Sequence, residues 1–310
     1  MGTSISVLMP AYNEHDNLAE LIPETLAVLE GMTSEFELVV VDDGSTDGTR
    51  TLMRTFTDPH VRYLRLRRNA GKSAALSVGL DKVVGEIVVL MDADGQDDPA
   101  ELPRLLAALE EQGVDLMTGS RAGHRHDRFI KRNTSKVYNG ATAMVTGVPM
   151  RDFNSGLKVM RRELANSLEM YGELHRYIPV LAVWGGFKVS ELDVAHHERR
   201  HGTTKFGRAR FWRGFLDLIT VKFLTTYTAR PFHLFGGTGV IMGFFGSLLL
   251  IWMGIDWSLG HRVGSRPALL IGVFLVVVAV QMISLGLIAE LIVHLRRRTN
   301  LDAGMQVDEL

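Results

Sequence analysis

Hydrophobic positions along this chain follow two regimes. Up to about residue 207, short β-branched runs alternate with helical patterns, and from Phe232 onward two long apolar stretches dominate. The runs at 5–9, 37–41, 61–66 and 87–91 have the length and composition of buried strands. Helical patterns follow at 16–30, 47–56, 73–83 and 99–112. Strands alternating with helices predict an α/β domain, a largely parallel sheet covered on both faces. Ligands collect beyond the carboxyl ends of the strands in such sheets, so the residues directly after each strand are the first candidates for function.

The two later stretches, 232–253 and 268–293, are each long enough to cross a hydrocarbon layer of about 30 Å at about 1.5 Å per residue. The first carries no formal charge except at His233 when protonated, and the second none until Glu290. A pair of spans over 230–295 returns the chain to its starting side. Arg296, Arg297 and Arg298 follow the second span, and Lys222 and Arg230 precede the first, whereas the connection carries Arg262 and Arg266 with Asp256. This bias places both termini, including a tail at 296–310, in the cytoplasm of a multi-pass protein of the plasma or inner membrane. Segment 208–229 mixes Phe211, Trp212, Phe215, Leu216, Ile219 and Phe223 with Arg210, Arg213 and Lys222. It reads as a helix in the membrane interface or as an amphipathic helix docked on the preceding domain. Gly239 and Gly243 form a GxxxG spacing that permits close helix packing, self-association included.

Composition narrows the chemistry. Lysine plus arginine (34) nearly balance aspartate plus glutamate (35), so the overall field gives no case for nucleic acid as a partner. The chain has no cysteine, which removes disulfides, thiolate metal sites and cysteine nucleophiles together. Any metal sits on oxygen or imidazole. The first apolar run is too short for a signal-peptide core and lacks a basic flank, so the domain at 1–207 is expected in the cytosol.

The strongest chemical signal is Asp92-Ala93-Asp94-Gly95-Gln96, directly after the fourth strand. In extended geometry Asp92 and Asp94 point to the same side, and two converging carboxylates invite a hard divalent ion held jointly with substrate phosphates. Aspartate-rich turns also occur without ligands, so the context matters. The first strand runs into Pro10-Ala11-Tyr12-Asn13-Glu14 and the second into Asp42-Asp43-Gly44-Ser45-Thr46-Asp47. A carboxylate there can accept the hydrogens of a base, Gly44 allows close backbone approach, and Ser45 or Asp47 can cap the next helix. Arg68-Asn69-Ala70-Gly71-Lys72-Ser73 offers a cation and helix-starting amides beside a diphosphate, although it is not a Walker loop.

These segments, in this order and followed by two apolar spans, resemble the family 2 glycosyltransferases that make polyprenyl-phosphate sugars, such as dolichol-phosphate mannose synthases and bacterial polyprenyl-phosphate glucosyltransferases. The resemblance covers nearly the whole chain. It implies a GT-A catalytic fold, an inverting transfer, and Mg²⁺ or Mn²⁺ bound by Asp94 and Gln96 with help from Asp92. It implies nucleotide-sugar contacts from Pro10, Ala11, Tyr12, Glu14 and Asp43, with Asp42, Lys72 and Ala93 close by. Gly119-Ser120-Arg121, Arg132 and Ser135 resemble ligands of an acceptor phosphate, with Lys131 an alternative to Arg132. Asp152-Phe153-Asn154-Ser155-Gly156 resembles the loop beneath the sugar. His196 to Gly207 resembles the segment that closes over the donor diphosphate, chiefly through Arg199 and Lys205. Thr204 stands where the relatives commonly carry serine.

By residue type alone, that last segment is a solvated charge face, an anionic-lipid contact or a phosphate clamp, and Gly202 and Gly207 around Lys205 favour the clamp. His196 and His197 are adjacent and diverge on an extended chain, which suits packing or phosphate contact better than metal. The expected reaction moves a hexose, from GDP-mannose or UDP-glucose, onto a polyprenyl monophosphate. Asp94, Asp152, Arg121, Arg132 and Ser135 are its expected catalytic set. A phosphate monoester, with a second pKa of about 6, is already ionised and attacks without a base. A hydroxyl acceptor on another lipid would need a base among Asp97, Asp98 and Asp152. A non-catalytic membrane-tethered binder of nucleotide sugars is the third reading.

Overall fold

A computed structural model of the chain describes residues 3–121, 140, 142–143, 146–197, 199–201, 223, 231–261 and 267–304, with side chains to Val293. Two compact units emerge, Met1–Val221 and Lys222–Leu310. The first holds one sheet of seven strands: β1 (Ile5–Ala11), β2 (Phe36–Asp42), β3 (Val61–Arg65), β4 (Ile87–Leu90), β5 (Leu116–Ser120), β6 (Lys158–Arg161) and β7 (Val189–Asp193). Their order is β3-β2-β1-β4-β6-β5-β7. The four strands expected from the apolar runs all form and pair in parallel. β6 departs from that expectation, running antiparallel to β4 and β5, while β5 and β7 are parallel. Four residues beginning with a lysine, Lys-Val-Met-Arg, carry no apolar run by which β6 could be read.

Alternation along β1 distributes its side chains to two cores. Val7 and Met9 pack with Leu18, Leu21 and Ile22 of α1 (His15–Met32). Leu8 joins Val39, Val41 and Ala75, Leu76 and Leu80 of α3 (Lys72–Leu80) on the opposite face. Short α2 (Thr49–Met53) lies between these helices in sequence, and α4 (Leu102–Gln112) buries Leu102, Leu105 and Leu109 with the α1 core. Side chains buried on both faces stabilise the sheet by about 1.5–3 kcal/mol each. Helix α3 lies so close that a Cβ on Gly79 would stand 2.2 Å from a Leu8 methyl. This packing fixes the start of α3, and hence Lys72, against the ends of β1 and β4. Among the described residues the unit also has α5 (Arg162–Ser167) and α6 (Ile178–Trp184).

The second unit is a helical hairpin, α7 (Pro231–Ser258) and α8 (Pro267–Gly304). Pro231–Ser258 and Pro267–Val293 are long and apolar enough to cross a membrane, and only 17% and 11% of their most apolar windows are buried. Phe244, Ile251, Leu270, Phe274 and Leu291 all stand more than half exposed. A core helix of a soluble protein would hide such residues, so these surfaces call for an apolar surrounding. Helix α8 continues past the expected span to Gly304, with no glycine or proline between Val293 and Gly304 to end it sooner. Glycines form the seam between the helices: a Cβ on Gly239 would stand 2.9 Å from the Ala279 carbonyl oxygen, and one on Gly246 3.1 Å from that of Gly272. The GxxxG face read from the sequence is thus taken up inside the hairpin. Of segment 208–229, only Phe223 lies among the described residues.

Candidate active site

The carboxyl ends of β1, β2 and β4 open into one cleft of about 180 Å³. Its wall is made by Pro10, Ala11, Tyr12 and Glu14 after β1, Asp43 after β2, Lys72 and Ala75 of α3, Asp92, Ala93 and Asp94 after β4, and Arg199. All but Ala75 belong to the candidates read from the sequence. Asp42 does not line it. That side chain is fully buried, accepting hydrogen bonds from the Tyr63 hydroxyl and, at 2.7 Å, the Ser45 amide, with Arg65 at 3.3 Å. Its role is to anchor the turn that presents Asp43.

The loops are tied to one another before any ligand arrives. Asn13, in the left-handed region at φ 56°, accepts the Thr46 amide at 2.8 Å and gives its own amide to Ser45 Oγ at 2.9 Å. Asp43 accepts the amides of Ala70 and Gly71 at 2.7 and 2.8 Å. Gly44, at φ +72°, has the Arg68 carbonyl carbon 2.6 Å from where a Cβ would stand, so the close approach it permits is by the protein's own backbone. Asp47 accepts the Thr49 amide at 2.9 Å, although the N-cap position of α2 itself is Gly48, one residue after the expected cap.

Two carboxylates of the Asp-x-Asp turn face different cations. Burial raises the proton affinity of Asp92, but the Lys72 ammonium bonded to it outweighs burial and holds the carboxyl below its usual range. Burial and the neighbouring Asp92 charge push Asp94 up, with Arg199 working the other way. Arg199 Nη2 reaches Asp94 Oδ2 at 3.0 Å and Glu14 Oε1 at 3.2 Å. The segment carrying Arg199 is strapped to α1 by Arg200, which meets Glu24 at 2.7 Å and Glu20 at 3.1 Å. His197 pairs with Asp98 at 3.1 Å and His196 lies 3.8 Å from Asp97, so neither histidine turns to the Asp92–Asp94 pair. Among the described residues no three His, Asp or Glu side chains form a metal-binding group.

A third ion pair sits on the far side of the turn. Arg121, after β5, grips Asp152 with Nε to Oδ2 at 2.7 Å and Nη2 to Oδ1 at 3.1 Å, and Nη2 also donates to the Asn154 carbonyl at 2.8 Å. Arg121 thus clamps the Asp152–Gly156 loop with two of its nitrogens. That loop presses on the turn: a Cβ on Gly156 would stand 2.5 Å from Asp97 Oδ2 and 2.6 Å from Asp92 Cγ. Arg132, Ser135 and Lys205 lie outside the described residues, as does the alternative Lys131. Two residues that the sequence reading missed also gather here, Lys158 and His175, beside Lys72 and Asp92. Nothing in the sequence marked either: Lys158 opens a four-residue strand with no apolar run, and His175 stands in no motif.

Comparison with known proteins agrees with this geometry. The model of glycosyl transferase family 2 matches residues 6–168. A dodecaprenyl-phosphate galacturonate synthase of Rhizobium johnstonii is 35% identical over 294 residues, covering 93% of this chain and 87% of the relative. An undecaprenyl-phosphate 4-deoxy-4-formamido-L-arabinose transferase of Edwardsiella ictaluri is 32% identical, covering 93% and 88%. Among solved structures, glucosyl-3-phosphoglycerate synthase of Mycobacterium tuberculosis, in complex with Mn²⁺, UDP and product, aligns with a TM-score of 0.57 at 21% identity over 72% of this chain and 80% of that one. Mannosyl-3-phosphoglycerate synthase of Rubrobacter xylanophilus gives 0.56 at 20% identity, covering 71% and 73%. Those two share the GT-A-type fold. A charged cleft at the strand ends of such a sheet, in a chain matched over more than nine-tenths of its length, makes this protein an enzyme of glycosyl transferase family 2.

Proposed function

We propose that the enzyme moves a sugar from a nucleoside diphosphate to a polyprenyl monophosphate at the cytosolic face of a membrane crossed by α7 and α8. The observation that carries this reading is the cleft itself: every polar wall residue is a carboxylate, a cation or a tyrosine hydroxyl, arranged around the raised carboxyl of Asp94. The names of the two relatives, which extend through the apolar hairpin as well as the sheet, supply the acceptor class.

A hard divalent ion fits Asp92, Asp94 and Gln96, because the repulsion between Asp92 and Asp94 that favours a cation beside them is offset by Arg199 only in part. Bound there, magnesium or manganese would supply charge neutralisation for the departing diphosphate. Tyr12, Glu14 and Asp43 hold the nucleoside, and Arg199 and Lys205 meet the diphosphate. An acceptor phosphate oxygen bonds to the sugar's C1 on the face opposite the breaking C1–O bond, and the nucleoside diphosphate leaves. No protein base is required, since the nucleophile is ionised near neutral pH. The carboxylates that a hydroxyl acceptor would enlist are already engaged: Asp152 by Arg121, Asp98 by the Ala100 amide at 2.9 Å and His197, and buried Asp97 by the Asp92 amide at 3.3 Å.

The test is incubation of the purified full-length protein with labelled nucleotide sugars, short polyprenyl phosphates and Mg²⁺ or Mn²⁺. A polyprenyl-phosphate sugar that disappears on chelation of the metal is the expected product. Donor binding with no transfer to any lipid would overturn the reading.

A further inference from the structure

Asn17 is 3% exposed in the first turn of α1 and does not line the cleft. An asparagine at a helix start commonly bonds to backbone within its own turn. Here the bonds run elsewhere. Its Oδ1 accepts the His201 amide at 3.2 Å, while its Nδ2 donates to Glu14 Oε2 at 2.5 Å and to the His201 carbonyl at 3.4 Å. A peptide N–H only donates and a carbonyl only accepts, so these partners fix which end of the amide is oxygen. One side chain thus pairs both backbone groups of a residue 184 positions away.

These contacts close a ring at the edge of the cleft. Glu14, a wall residue, meets Asn17 through Oε2 and Arg199 through Oε1 at 3.2 Å, and Arg199 stands two residues before His201 on the same strap. The Asp-x-Asp turn packs against the ring: a Cβ on Gly95 would stand 3.6 Å from both Asn17 Oδ1 and Arg200 Cδ. Outside the ring the strap has a second fastening, Arg200 on Glu20 and Glu24, with His201 Nε2 3.1 Å from Glu20. Those side chains are between one-third and one-half exposed. Exposed pairs contribute little and weaken with salt, whereas stripping partners from buried polar groups is costly, so the strap's position follows Asn17.

We propose that Asn17 is a positioning residue for sugar transfer, joining the carboxylate that meets the nucleoside to the strap that carries Arg199. The inference rests on the reading above that a nucleotide sugar occupies this cleft against Glu14. When the nucleoside takes the Oε1 side of Glu14, Arg199 is displaced from that oxygen towards the diphosphate. Asn17 still holds His201 through the backbone, so the strap stays docked and the guanidinium turns without leaving the cleft. Nucleotide binding and the placement of a leaving-group cation are coupled through one buried amide.

The test reads the strap directly, by hydrogen exchange at the amides of residues 199–201 in the full-length protein, with and without saturating UDP or GDP and Mn²⁺. In the wild type the nucleotide that binds, identified by calorimetry, should slow exchange there at least about fivefold. Asn17→Ala should abolish that slowing at saturating nucleotide and lower kcat about tenfold or more, while nucleotide Kd rises no more than about threefold. Asn17→Ser keeps a hydroxyl too short to bridge both partners and stands in if Asn17→Ala does not fold. The double variant Glu20→Gln, Glu24→Gln removes only the outer fastening and should keep the slowing, with kcat within about twofold of wild type. Slowing retained without Asn17, lost in the double variant, or missing from the wild type would overturn the coupling and leave the transfer reading intact. A wild type that binds neither UDP nor GDP would overturn both.

Discussion

The ion pairs on the two sides of the Asp-x-Asp turn differ in kind. On the nucleotide side, Lys72 and Asp92 are each about one-third exposed, and Arg199 is one-quarter exposed against Asp94. Lys72 comes from the first residue of a helix and Arg199 from a strap held by surface carboxylates, so both cations sit on arms that water reaches. On the other side Arg121 and Asp152 are 14% and 3% exposed, doubly bonded, and fastened to the loop backbone. Exposed pairs contribute little to stability and can exchange partners, whereas separating a buried pair strands a charge. The contrast bears on the proposed reaction: the pairs around Asp92 and Asp94 are open enough to exchange for substrate charge, whereas the Arg121–Asp152 pair is built as framework.

Substitutions can break this comparison. Asp94→Ala should lower kcat/KM by at least about 10²–10³-fold, the cost of losing one preorganised electrostatic contact. Its melting temperature in detergent should stay near wild type, because the pair it removes is partly exposed. Arg121→Met should do the reverse in stability, costing about 3–5 kcal/mol by stranding Asp152, read from denaturant unfolding. If Arg121→Met were as stable as wild type, the framework role would be lost. Lys72→Gln is expected to change stability by no more than about 0.5 kcal/mol while raising the donor KM, a split that steady-state kinetics and melting curves resolve together.

The smallest effect sharpens the contrast with a carboxylate outside the reaction. Burial pushes Glu37 up, yet hydrogen bonds from the Ser6 hydroxyl, the Val84 amide at 2.6 Å and Arg62 outweigh it, so its carboxyl lies below the ordinary 4.5. A carboxylate depressed in the folded state contributes stability that is complete above its unfolded value and is lost as pH falls from about 4.5 through the folded value. Glu37→Gln should flatten the melting temperature's decline over that acid range without changing activity at neutral pH.

Much of the nucleotide side was legible because each parallel strand there is a continuous apolar run ending in a polar turn. Four such runs, from Ile5 to Leu90, gave four of the sheet's seven strands and the turns that make most of the cleft wall. Asp42 was misread because a carboxylate beside the site and one beneath it look alike in sequence; only the Tyr63 hydroxyl and Arg65, which come from β3, distinguish them. The acceptor side was less legible. β6 and β7 carry Lys158 and the pattern Val-Ser-Glu-Leu-Asp, whose partners are other strands and not a repeating apolar face. His175 lies 102 residues from its partner Ser73, a pairing that local pattern cannot reveal. In the hairpin, the spacing of Gly239 and Gly243 announced close packing, but the partner, Ala279, is named only by the folded chain.

The central claim is that the acceptor brings its own negative charge, so the site needs no base. The most direct measurement offers the enzyme equal amounts of a short polyprenyl phosphate and the corresponding polyprenol, with donor and Mn²⁺, and identifies the lipid product by mass. Sugar on the phosphate alone is the predicted result; sugar on the alcohol, at a comparable rate, would contradict the account.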